Sequence, residues 1–117
     1  MDEKGKGDLK GRVLDMAGLV EYQEGSVVSR EVLRGKAGTV SVFAFDAGEG
    51  LSEHTAPFDA LVEVVDGSAE VTIGGEALVV RAGESVIMPA GVPHSLHAPE
   101  RFKMVLTLIR GEPRGSN

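Results

Sequence analysis

Sixteen glycines and five prolines, set at short intervals among apolar runs rich in valine, do most to limit what this 117-residue chain can fold into. Both residues end regular structure, and short Val-, Ile- and Phe-rich runs between such breaks are strands rather than helices. Strands are predicted at 27–33, 39–45, 61–65, 69–73, 76–80, 85–88, 95–97 and 102–109. The stretch 46–50 is a turn cluster. Asp66-Gly67 reads as a hairpin turn, Gly74-Gly75 as a second, and Ala82-Gly83 as a break. Residues 15–22 fit one helical turn or a strand. Along 102–109, Phe102, Met104, Leu106 and Leu108 share the parity that faces a core, and Lys103 and Thr107 share the other. Roughly nine short strands leave too many open edges for a flat sheet, so the fold class is all-β, closed as a small antiparallel β-barrel or two-sheet jelly roll. The mouth of such a barrel is where a ligand or metal sits. One domain is expected over 11–110, with flexible tails at 1–10 and 111–117, which carry no apolar period.

Composition removes several function classes. With no cysteine, the chain has no disulfide and no thiolate, so any metal must be held by nitrogen and oxygen. Twelve basic against eighteen acidic side chains give a net charge of −6, and there is no Trp and one Tyr. Such a chain repels a polyanion and lacks platforms for stacked bases, so no nucleic-acid partner is expected. No apolar stretch approaches the roughly 20 residues that span a bilayer, so no membrane partner is expected either. The charged, Gly-rich start, Met1 to Asp8, lacks the apolar centre of a secretory signal, and a cytoplasmic location is expected.

Two histidines carry the chemistry. Gly83 to His94 reads Gly-Glu-Ser-Val-Ile-Met-Pro-Ala-Gly-Val-Pro-His. Pro89 and Pro93 each fix φ and remove an amide donor, which makes a rigid corner and delivers His94 at a strand start. His54 lies forty residues earlier, in Ser-Glu-His-Thr-Ala-Pro. Strand alternation puts His54, Ala56, Ala60 and Val62 on one face and Glu53, Asp59 and Glu63 on the other. A bulge near Pro57 would turn Asp59 inward, and a later strand start would do the same for Glu53. His97 has the opposite parity from His94 and belongs on the surface. Ser52 and Ser85 stand near the histidines, but there is no G-x-S-x-G elbow, and Gly48, Gly50, Gly74 and Gly75 fit turns rather than a phosphate cradle.

The segment Gly83 to His94 resembles the second cupin motif, G-x-x-x-x-x-P-x-G-x-x-H, with Gly83, Pro89, Gly91 and His94 in register. The first cupin motif, aligned on Gly67, places His54 in its first histidine slot. Ala56 stands in the second histidine slot, Ala60 in the glutamate slot, and Ala98 where the second motif often ends in asparagine. The resemblance spans Thr39 to Ile109. It implies a double-stranded β-helix, in which cupins usually hold iron, manganese, nickel or zinc with three histidines and a glutamate. Here it implies at most a weakly held divalent ion on His54 and His94, completed by water or substrate. Replacing two ligand slots by alanine enlarges an apolar cavity. The expected function is therefore binding of a small organic molecule, with His54 and His94 contacting its polar group and Ala56, Ala60, Met88 and Met104 shaping the wall. The alternatives are a metal-dependent dioxygenase, isomerase or decarboxylase, and a non-catalytic assembly or regulatory domain. Cupins commonly pair, so the resemblance also implies a homodimer.

Overall fold

One strand organises the rest of the molecule. In the computed structural model, which describes residues 9–110, β4 (Asp59–Ile73) runs for 15 residues and pairs antiparallel with four others. Those partners are β5 (Glu76–Arg81), β6 (Ser85–Met88), β7 (His94–His97) and β8 (Phe102–Ile109). β1 (Val27–Gly35), β2 (Gly38–Phe45) and β3 (Gly50–His54) complete a curled sheet of eight strands, ordered β1-β2-β8-β4-β7-β3, with β5 and β6 also on β4. The fold is thus the all-β antiparallel barrel expected. No helix among the described residues is long and apolar enough to cross a membrane. The tails expected to fray at 1–8 and 111–117 lie outside the described residues, whereas residues 9 and 10 are described.

Two expectations need correction. Asp66-Gly67 does not turn the chain back: the β4–β8 ladder continues through Asp66↔Lys103 and Gly67↔Phe102, with a register shift between Val64 and Asp66. A positive φ serves a hairpin or a bulge equally, and here Gly67, at φ 72°, bends one long strand as it leaves the ladder with β8 for the ladder with β5. The segments 61–65 and 69–73 are therefore one strand. Gly74 and Gly75, at φ 58° and 88°, do make the two-residue hairpin that was expected, closing Ile73 onto Glu76. Strand β3 was not predicted, because Gly-Leu-Ser-Glu-His has one apolar residue and no alternation to detect.

The core has two compartments. Inside the barrel, Phe45, Val62, Val64, Val71, Phe102 and Met104 are fully buried, and the rings of Phe45 and Phe102 stack at 4.4 Å. Outside it, Val20, Val42, Ala44 and Val105 form a second cluster covered by the N-terminal segment. That segment holds a single 3₁₀ turn, Met16–Leu19, at the place left open between helix and strand. Tyr22 fastens it: the phenol donates to Asp66 at 2.5 Å, while Arg101 and Lys103 approach the ring face at 5.2 and 5.0 Å. Burial first, and then the Asp66 carboxylate, hold the phenol well above its ordinary pKa. Val105 is buried on the parity opposite to Phe102 and Met104, since β8 is covered on both faces.

Candidate functional site

Strand pairing, rather than a loop, brings the two imidazoles together. β3 lies antiparallel to β7 with His54 directly opposite His94. The pairing shifts register between Leu51 and His54, so one extra residue is accommodated in β3. That irregularity lets Leu51 and His54, three positions apart, line the same cavity. On the other side β7 pairs with β4, Ile73 opposite His94, so His94 sits within a three-strand ladder.

The corner before His94 is fixed by four hydrogen bonds. Val92 N–H donates to Pro89 O at 3.3 Å, Gly91 N–H to Ala56 O at 2.8 Å, and Gly74 N–H to Pro93 O at 2.8 Å. The fourth runs from Ala90 N–H to Asp59 Oδ1 at 2.8 Å. Asp59 therefore spends its carboxylate on the Pro-rich turn, and it does not line the cavity. Glu53 is exposed and does not line it either. His97 faces outward, with Nδ1 3.5 Å from Glu70, as its parity requires.

The ring geometry fixes where the protons sit. His54 Nδ1 lies 3.0 Å from Ser52 O, and His94 Nδ1 lies 3.2 Å from Val92 O. A carbonyl oxygen only accepts, so both Nδ1 atoms carry hydrogen and donate. The two Nε2 atoms then face each other at 3.2 Å, with the ring planes at 74°. His94 is 4% exposed and His54 sits in the open.

Next to this pair is a cavity of about 210 Å³. It is smaller than the roughly 300 Å³ at which pockets for drug-sized molecules begin. Ala56, Ala60, Met88 and Met104 line it together with both histidines, so the six expected residues meet around one space. Sequence reasoning missed Leu51, Leu96, Leu106 and Leu108 as wall residues. Leu106 and Leu108 had already declared themselves inward by parity. His54 and His94 are the only lining residues whose side chains carry nitrogen or oxygen.

The donor set does not match a resident metal of the three-histidine, one-glutamate kind. Among the described residues no group of three or more His, Asp or Glu side chains comes together. The slots that would supply the remaining ligands hold Ala56 and Ala60, which present only methyl groups. Two imidazoles alone fall short even of a site of two histidines and one carboxylate.

Comparison with known proteins agrees with the barrel and its motifs. The cupin domain model matches residues 41–110. The chain belongs to the cupin family. A similar fold is seen in a conserved Streptococcus pyogenes protein of unknown function, 35% identical, with TM-score 0.82 over 88% of this chain and 90% of that one. A cupin 2 conserved barrel domain protein from Leptotrichia buccalis is 39% identical, with TM-score 0.80 over 83% of this chain and 47% of its own. Among curated relatives, an uncharacterised protein of Streptomyces coelicolor is 37% identical over 67 residues. A mannose-1-phosphate guanylyltransferase of Salmonella montevideo is 37% identical over 65. The aligned regions cover 64% and 14% of those two proteins.

Proposed function

We propose that this cupin binds a small, mostly apolar organic molecule, with its one polar group held by His54 and His94. The observation that carries this reading is the contrast within one cavity: two imidazoles in a lining that is otherwise hydrocarbon or thioether. Apolar surface removed from water contributes about 25 cal/mol per Å², so a guest covering the Met88, Met104 and Leu106 wall gains affinity from its tail. The half-buried imidazole pair needs hydrogen-bonding partners, so the guest gains orientation from its head. The rigid corner at Pro89–Pro93 keeps His94 in place before any guest arrives, which lowers the ordering cost of binding.

Met88 and Met104 supply the test. With ¹³C-methyl methionine, titration with hexan-1-ol shifts both methyl resonances and leaves Met16, on the outer face, unmoved. Ala60→Leu, which extends a buried wall residue into the cavity, abolishes those shifts while the fold persists. If Met88 and Met104 do not respond to hexan-1-ol, or respond equally in Ala60→Leu, the cavity is not a binding site.

A further inference from the structure

The outer face of the sheet is covered by its own chain over only part of its extent. Ladder partners place Leu33, Val40, Thr107, Leu61 and Ile87 in one row across β1, β2, β8, β4 and β6. Their chain neighbours Ala60, Val62, Met88, Leu106 and Leu108 pack into the barrel, so the row points outward. Val42 and Val105, two residues away along β2 and β8, share that face and are buried with Val20 of the N-terminal segment. The row beside them is open. Leu33 is 50% exposed, Ile87 60%, and Ile109, two residues beyond Thr107 on the same face, 61%. These are three of the five large hydrophobic side chains left exposed among the described residues, and grouped apolar exposure of this kind marks a contact surface.

The rest of the chain has little to cover it with. Positions 1–8 and 111–117 contain one methionine and no Val, Leu, Ile, Phe or Tyr. A partner steered by charge finds nothing to pair with either, because no charged side chain interrupts the row. A second copy meets that requirement: two chains of net charge −6 repel, and an uncharged row is where they can touch at least cost. Pairing edge to edge is blocked at both ends of the row. β1 carries a register shift between Glu31 and Leu33 and a forked Arg34–Glu31 ion pair, and β6 is four residues long and runs into Pro89. We infer that this face is the interface between two copies of the chain, sheet packed on sheet, with Thr107 at its centre. A two-fold through the middle of the row sets Thr107 opposite Thr107 of the partner subunit, and two hydroxyls, each donor and acceptor, satisfy one another. A groove of about 410 Å³ beside Leu33, Val40 and Ile109 gives side chains of the facing sheet room to interlock. Five strands about 4.8 Å apart make the row about 20 Å long, so with its flanks the patch is on the order of 500 Å², or about 1,000 Å² for two copies. That is the lower end of stable interfaces, and the dimer is expected to dissociate at micromolar concentration.

Sedimentation velocity of the full chain from about 1 µM to about 300 µM tests this, with a shift from monomer to dimer expected over that range. Thr107→Arg and Ile87→Lys are each expected to weaken association by about tenfold or more, because each buries an unpaired charge in the interface. Val79 is 52% exposed on β5, outside the row, so Val79→Lys is expected to leave association unchanged. The methionine methyl response to hexan-1-ol, measured on the same variants, shows that each still folds and reports on the cavity separately. A native chain that stays monomeric throughout, a dimer that survives both Thr107→Arg and Ile87→Lys, or an equal loss in Val79→Lys overturns the interface and leaves the cavity reading as it stands.

Discussion

Replacing Gly67 by alanine tests whether the bend in β4 is required or merely tolerated. Gly67 adopts φ 72°, and a Cβ built there would lie 2.1 Å from Arg101 O and 3.0 Å from Phe102 Cα. Gly75 adopts φ 88° with nothing within 4 Å of its Cβ position, so it isolates the conformational cost from the steric one. Left-handed backbone costs a non-glycine residue about 1–2 kcal/mol. Gly75→Ala should therefore destabilise by about that amount. Gly67→Ala carries the same cost and must also push back the start of β8, which holds the buried Phe102 against Phe45. Overpacking of this kind adds about 1–3 kcal/mol, for a total of about 2–5 kcal/mol. Equilibrium urea unfolding of the two variants beside the native protein measures both values, at unchanged slope if the unfolded states are alike. Equal losses for Gly67→Ala and Gly75→Ala would show that the close approach of Arg101 O constrains nothing.

Three further outcomes follow from the geometry. Asp59→Ala removes the acceptor for Ala90 N–H, and it should cost about 1 kcal/mol and weaken hexan-1-ol binding, since the corner before His94 is then held by three bonds instead of four. Unaltered binding in a folded Asp59→Ala protein would show that the corner positions nothing. The Asp46 carboxyl is held below its ordinary pKa first by the Gly25 amide and then by the Arg101 guanidinium. A depressed carboxylate stabilises above its unfolded pKa near 4 and loses that contribution as pH falls through the lower folded value. The stability gap between the native protein and Asp46→Asn should thus narrow below about pH 4, and a gap constant from pH 7 to pH 3 would refute the assignment. Finally, elemental analysis of protein purified without chelator should find far less than one transition metal per chain. About one metal per chain, lost in His94→Ala, would replace the organic-ligand reading by a metal site.

Much of this fold could be read from the sequence because the barrel strands advertise themselves. β2 and β8 alternate in hydrophobicity, and the Gly74-Gly75 turn has one simple use. The Asp66-Gly67 pair misled because a glycine with positive φ marks a change of direction without saying whether the chain reverses or bends. The burial of Val105 was hidden for a different reason: its cover is an irregular N-terminal segment, whose contacts have no period. At the site, the second motif located His94 and the spacing to Gly67 located His54. Their opposition across a ladder was not legible, because β3 has a single apolar residue and a register shift between Leu51 and His54. The six expected wall and pair residues do meet, since residues of like parity on β4, β6 and β8 converge on one interior.

A crystal structure of the protein grown with hexan-1-ol, with anomalous data collected, tests the central claim most directly. The account predicts a hydroxyl within hydrogen-bond distance of Nε2 of His54 or His94, its tail in van der Waals contact with Met88 and Met104, and no anomalous peak between the rings. A metal ion coordinated by both histidines, or a cavity left empty while hexan-1-ol binds elsewhere, would contradict it.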